Sequence, residues 1–125
     1  MKLLLDANAF IWAYNEPSEL SAAARRAISD SLNERFISIV ALWEIAIKQS
    51  IGKIGLLDDF DAAVADLVLE VMPVTLSHIT QVRRLPLHHR DPFDRMMIAQ
   101  AIEEGLTIVT RDRQFEAYGV PLLKA

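Results

Sequence analysis

In Lys2-Leu3-Leu4-Leu5-Asp6 three successive leucines are closed by an acid, and the reading of this stretch decides the fold. A strand exposed on one face alternates apolar with polar residues. A strand apolar at successive positions is buried on both faces, as in a parallel sheet. Thr107-Ile108-Val109-Thr110, followed by Arg111-Asp112, repeats the pattern near the other end of the chain. Arg35–Ile39 reads as a further strand. Val71–Val74 reads as an edge strand, because Pro73 cannot donate to a ladder, and Val120–Leu123 as a last short one.

Helical patterns fill the intervals. A helix runs through Phe10, Trp12 and Tyr14 and breaks near Pro17. Ser18 is placed to cap a helix through Ser31, with Leu20, Ala24, Ala27 and Ile28 on its apolar side. Val40–Ile51 is helical with Gly52 as its stop, and Gly52 and Gly55 loop the chain into Leu56-Leu57. Asp58 or Asp59 starts the next helix, with Phe60, Val64, Leu67 and Val68 as apolar positions. Ser77 is placed to cap a helix through Leu85. After the Pro86–Arg90 loop, Asp91-Pro92 is a strong helix start, running to about Glu104 with Gly105 as its stop. Strands alternating with helices predict an α/β fold with a mainly parallel central sheet covered on both faces.

The 125 residues fit one domain, 1–125, large enough for a core without disulfides. There is no cysteine, which excludes thiol nucleophiles, Cys-ligated zinc and iron–sulfur clusters. Only Lys2 precedes the first apolar run, so no signal peptide is expected. No apolar run is long enough to span a bilayer, and a cytoplasmic protein is the simple reading. The formal net charge of −4 gives no global basic field, so nucleic-acid binding must rest on local basic residues and bound metal. Hydrophobic residues make up 52% of the chain, a hint of a surface covered by a partner.

In open parallel sheets ligands sit beyond the carboxyl ends of the strands. Asp6 and Asp112 both follow strands, so parallel strands place them at one edge, although each also suits a turn or a helix cap. Asp94 lies in the first turn of its helix, three and four residues before the inward stripe begun by Met97, Ile98, Ala101 and Ile102. Pairing with the helix dipole explains it equally well. Glu44 has Lys48 at i+4, a good surface pair, yet stands among Leu42, Trp43, Ile45, Ala46 and Ile47, where a carboxylate needs a partner or a metal. Four acids on four segments, if they converge, repel one another and raise one another's pKa. A divalent cation relieves that cost, and oxygen ligands without cysteine favour Mg²⁺ or Mn²⁺. Such a centre suits phosphodiester hydrolysis. His78, His88 and His89 are read as solvent-facing or structural, since adjacent histidines do not face one site. Phe10, Trp12, Tyr14 and Trp43 are read as core or interface rather than base-stacking platforms.

Leu4-Leu5-Asp6-Ala7-Asn8, Ser38 through Trp43-Glu44-Ile45, His89-Arg90-Asp91-Pro92-Phe93-Asp94-Arg95 and Ile108-Val109-Thr110-Arg111-Asp112 together resemble the PIN-domain family, in particular VapC-like toxins. The resemblance covers essentially the whole chain, in order. It implies a three-layer α/β/α sandwich and a metal-dependent ribonuclease acting as the toxin of a toxin–antitoxin pair. It also implies homodimers and a cognate antitoxin that blocks the site. Asp6, Glu44 and Asp94 fall on the family's acidic triad and Asp112 on its fourth acid, as ligands of Mg²⁺ or Mn²⁺. Asn8 falls where many members carry Thr, Ser or Asn, and Thr110 matches a frequent polar position. Ala7 departs from the Thr that many relatives carry after the first acid. Arg95, Arg111 and Arg113 lie near the acids in sequence, where they suit either a grip on flanking phosphates or a plain solvated surface, and they are not counted among the catalytic residues.

Three other readings were weighed. A phosphoacceptor receiver domain wants an acidic pair after the first strand and a strand-ending Asp near mid-chain, where this chain has Ala7-Asn8 and Ser38-Ile39. A haloacid-dehalogenase-type phosphatase wants Asp-x-Asp, from which Asn8 departs. A catalytically silent PIN-like interaction module differs only in metal binding and turnover.

Overall fold

The computed structural model describes residues 1–52 and 59–125. The expectations for Gly55, Leu56-Leu57 and Asp58 lie outside the described residues. Five strands form one sheet: β1 (Lys2–Leu5), β2 (Glu34–Ser38), β3 (Glu70–Met72), β4 (Thr107–Thr110) and β5 (Leu122–Lys124). Their order is β3-β2-β1-β4-β5, and every ladder is parallel. Leu3, Leu4 and Leu5 of β1 are all fully buried. Successive strand side chains point to opposite faces, so both faces of the sheet are covered and the architecture is three-layered.

Among the described residues six α-helices accompany the strands: α1 (Ala7–Asn15), α2 (Ala22–Ser29), α3 (Ile39–Ser50), α4 (Phe60–Asp66), α5 (Leu76–Arg84) and α6 (Pro92–Glu104). Short 3₁₀ segments cover Pro17–Glu19 and Arg113–Tyr118. Several expected boundaries shift. Ser21, not Ser18, caps α2, its side chain accepting from the Ala24 amide at 3.0 Å, while Ser18 falls in the 3₁₀ turn opened by Pro17. Thr75, not Ser77, caps α5, where His78 at the third helical position answers as the other half of a capping box. β3 runs one residue earlier than Val71 and ends at Met72, before Pro73, which leaves it on the sheet edge as its proline requires. β5 is shifted towards Lys124. Val68 lies past the end of α4, exposed and with a φ of 54°, rather than on its apolar side.

Helix α6 buries five consecutive residues, Met97 to Ala101, whereas Ile102 is 42% exposed. The expected stripe through Ile102 is therefore corrected. Gln100 takes the inward place, its amide donating to the Pro73 carbonyl at 3.3 Å. Gly105 ends α6 in the left-handed conformation, at a φ of 67°.

The chain runs from β1 outward through β2 and β3, then returns to the other side of β1 for β4 and β5. The reversal makes β1 and β4 neighbours at a topological switch point. A crevice opens there beyond the carboxyl ends of the strands.

Candidate active site

The switch point brings Asp6 and Asp112 together through backbone geometry. The Asp6 amide extends the β1–β4 ladder by donating to the Val109 carbonyl at 3.1 Å. This sets Asp6 beside Thr110, whose hydroxyl donates to Asp6 Oδ2 at 2.5 Å and accepts from the Asp112 amide at 3.0 Å. One hydroxyl thus holds the two post-strand acids in register. Both also cap helices. Asp6 Oδ1 accepts from the Ala9 amide at the start of α1, and Asp112 from the Gln114 amide at the start of a 3₁₀ turn. The capping and the site roles are compatible because a carboxylate has two oxygens and ample acceptor capacity.

Asp94 reaches the same place from the first turn of α6. Asp91 caps that helix, a single oxygen accepting from the amides of Phe93 and Asp94 at 2.8 and 3.1 Å. Asp94 Oδ2 lies 2.8 Å from His89 Nε2, and both side chains are largely buried. Glu44 comes from the middle of α3. Its side chain is 11% exposed and its Oε2 lies 2.9 Å from Lys48 Nζ. All four expected acids, with Asp91, Lys48, Asn8, Ala7 and Phe115, line one pocket of about 160 Å³.

The acids perturb one another as their convergence predicts. Burial pushes the Asp6 carboxyl up. The Thr110 and Ala9 hydrogen bonds oppose that push, and the charges of Glu44 and Asp112 add to it. Burial likewise raises Asp94 to about 7. The His89 hydrogen bond and charge oppose the rise, and the charges of Asp91 and Glu44 reinforce it. The donor set fits a divalent cation. His89, Asp94 and Asp112 each offer a ligand atom, all within 4.8 Å of one another. Asp6 and Glu44 add hard oxygens in the same pocket.

His89 is the site residue that sequence reasoning missed. Its neighbour His88 does turn away, packing edge-on against Tyr118 at 5.2 Å between ring centroids. His89 is instead turned inward by its own backbone, whose amide donates to the Tyr118 hydroxyl at 2.8 Å. His78 is structural, as expected, and buried. Two of the three arginines are occupied elsewhere. Arg95 donates to the carbonyls of Val82, Leu85, Pro86 and His89 and to Tyr118, tying down the loop before α6. Arg111 stacks over the Trp12 ring at 4.2 Å and bonds the Glu19 and Ala125 carbonyls. Arg113 is the exposed one, loosely paired with Glu116 at 3.9 Å.

An all-parallel sheet with a carboxylate pocket at its switch point defines a class of α/β/α domain built to gather acidic ligands at one sheet edge. The chain belongs to the PIN domain family, which it matches over residues 3–121. This membership removes the receiver and dehalogenase readings. The chain is similar to Ribonuclease VapC22 of Mycobacterium tuberculosis, 29% identical over 122 residues that cover 95% of this chain and 93% of that protein. Its fold matches VapBC2 from Rickettsia felis bound to a promoter DNA fragment, with a TM-score of 0.74 at 18% identity and 98% of each chain covered. It also matches DNA-bound VapBC from Salmonella typhimurium, with a TM-score of 0.65 at 21% identity, covering 98% of this chain and 97% of that one. Among the described residues no helix is long and apolar enough to cross a membrane.

Proposed function

We propose that this chain is a metal-dependent ribonuclease, the toxin of a toxin–antitoxin pair. The observation that carries the reading is the meeting of Asp6, Glu44, Asp94 and Asp112, from four separate segments, in one pocket. A pocket of mutually repelling acids is costly unless a cation fills it. Its oxygens suit Mg²⁺ or Mn²⁺. The relative named a ribonuclease supplies the substrate class. A bound divalent ion would clamp phosphate oxygens and make water more acidic.

The protein's own groups supply the rest. Thr110 fixes Asp6 against Asp112, Asp91 fixes the first turn of α6, and His89 orients the Asp94 carboxylate. Phe115 and Ala7 give the pocket its apolar lining. Hydrolysis adds water across the P–O3′ bond, leaving a 5′-phosphate on one fragment and a 3′-hydroxyl on the other. The histidines do not form an acid–base pair for attack by a 2′-hydroxyl, because His78 and His89 are each held by a carboxylate of their own and His88 packs against Tyr118.

The partners follow from the relatives and from an apolar face. The solved relatives include toxin–antitoxin complexes bound to DNA. Here Trp43 is 61% exposed and meets Phe93 edge-on at 5.1 Å between centroids. Ile39, Val74, Ile79 and Met96 extend the same apolar surface. A cognate antitoxin and a second copy of the chain are the occupants we assign to such surface, in a cytoplasmic protein. Light scattering that shows a strict monomer at micromolar concentration would remove the homodimer.

The deciding experiment is cleavage of single-stranded or loop RNA by the purified protein, with Mg²⁺, Mn²⁺ or chelator, beside Asp6→Asn. Metal-dependent products with 5′-phosphate ends are expected. Cyclic or 3′-phosphate ends would exclude the mechanism, and metal binding without turnover would leave a silent interaction module.

A further inference from the structure

Lys48 stands where a surface ion pair was expected, but its surroundings are not those of a surface pair. Its ammonium lies 2.9 Å from Glu44 Oε2, and Glu44 is largely buried while Lys48 is 41% exposed. The pocket it borders holds five carboxylates, from Asp6, Glu44, Asp91, Asp94 and Asp112, and Lys48 is the one lysine or arginine among its lining residues. In the metal-free protein this ammonium is thus the positive charge set against the cluster. Burial of the Glu44 carboxylate favours this attraction, while the water that reaches Lys48 screens it.

A divalent ion that takes Glu44 competes with this ammonium for the same carboxylate and repels it, which loosens the pair. The released ammonium stays anchored on the last turns of α3, at the pocket edge, with nearly half its side chain open to water. An RNA phosphate entering beside the acids would offer this ammonium an anionic oxygen. An ammonium is well suited to it, as a flexible point charge with three donors.

We propose that Lys48 is a built-in counter-cation that holds the acid pocket in the metal-free protein and passes to the scissile phosphate when the metal displaces it, becoming a catalytic residue. This rests on the ribonuclease reading above. It makes two demands of opposite sign. Removing the Lys48 charge should tighten metal binding, because a competitor for Glu44 is gone. It should also slow cleavage, because a phosphate contact is gone. A lysine that merely held Glu44 in place would give the reverse of the first: its loss would weaken the metal.

The test compares Lys48→Met, Lys48→Gln and Lys48→Arg with the parent protein and with Lys2→Met. Lys2 pairs with Glu34 at the opposite end of β1, away from the pocket, and so controls for the loss of one charge. Mn²⁺ affinity is measured by calorimetry without RNA, and single-turnover cleavage at saturating Mn²⁺. Lys48→Met and Lys48→Gln should bind Mn²⁺ several-fold more tightly and cleave about ten- to a hundredfold more slowly, the size of one hydrogen bond to a charged group. Lys48→Arg should restore most of the cleavage, and Lys2→Met should match the parent in both. Unchanged or weaker Mn²⁺ binding in both neutral variants overturns the proposal, and so does cleavage at the parental rate. A parent protein that neither binds Mn²⁺ nor cleaves RNA would instead sink the ribonuclease reading, a distinct result.

Discussion

The two ends of α6 each set a histidine against a carboxylate, under opposite conditions. At the carboxyl end His78 is buried and Glu104 is half-exposed, with Nε2 and Oε1 3.0 Å apart. The Thr75 amide donates to Nδ1, so Nε2 carries the proton and donates to Glu104. Water still reaches the acid, and the pair fastens the start of α5 to the end of α6. At the amino end His89 and Asp94 are both largely buried, and Asp6, Glu44, Asp91 and Asp112 line the same pocket. There the histidine only partly offsets burial and like charge, and Asp94 stays at about 7. The same pair is structural where the acid meets water and becomes chemistry where acids are crowded away from it.

Substitutions at the two ends should therefore cross. Asp94→Asn keeps the shape of the side chain and removes one charge from the cluster. It should cut RNA cleavage at least about a hundredfold, the lower range for groups that hold transition-state charge, while the metal-free melting temperature stays level or rises. A clear fall in that temperature would place Asp94 among structural acids and erase the contrast between the ends.

The histidines sharpen it. His78→Ala leaves a cavity and breaks the capping box, and should cost about 2–3 kcal/mol in denaturant melts. Cleavage per folded molecule should stay near the parental rate. His89→Ala should instead weaken Mn²⁺ binding about ten- to a hundredfold, the usual effect of losing a partner that orients a metal ligand. A His78 variant that cleaves poorly while fully folded would make both ends functional.

The contrast also explains what could be read from the sequence. β1, β4 and α6 were legible because their signals are local: apolar runs closed by an acid, and Asp91-Pro92 ahead of the helix with Gly105 behind it. The acids were legible because parallel strands place Asp6 and Asp112 at one edge whatever the loops do. His89 was not, since its inward turn depends on the Tyr118 hydroxyl, 29 residues away in the chain. Gln100 displaced Ile102 for a similar reason. A helix covered on nearly every side does not announce its inward face by apolar spacing, and the Pro73 carbonyl that Gln100 meets is remote in sequence. The missed caps had rivals of the same chemistry within three residues, Ser18 against Ser21 and Ser77 against Thr75.

Acid titration gives a third test. The Asp94 carboxyl has an ordinary value of 3.8 and stands at about 7 in the fold. Between these values the folded chain holds a proton that the unfolded chain has released, so the stability of the metal-free protein falls as pH rises from about 4 to about 7. Asp6, raised in the same direction, adds to the slope. Melts across this range should show that decline in the parent protein and less of it in Asp94→Asn. Because the cation offsets the charge that deprotonation creates, Mn²⁺ should raise the melting temperature more at pH 8 than at pH 5. An equal rise at both would detach the metal from these acids.

The smallest effect separates Asp91 from Asp94, one helical turn apart. Asp91 uses one oxygen to accept from two α6 amides, yet it lines the acid pocket and its charge pushes Asp94 up. Two substitutions part these roles. Asparagine caps a helix about as well as aspartate, so Asp91→Asn should leave stability nearly unchanged. It should also lower the Asp94 titration midpoint, measured by carboxyl NMR in the metal-free protein. Alanine cannot cap, and Asp91→Ala should cost about 1 kcal/mol while lowering the same midpoint. Neither should weaken Mn²⁺ binding to the degree that Asp94→Asn does, because Asp94, and not Asp91, is grouped with His89 and Asp112 with ligand atoms within 4.8 Å of one another. If Asp91→Asn loses the metal and Asp94→Asn keeps it, the two acids exchange roles. The amino end of α6 would then present its cap, and not its first turn, to the ion.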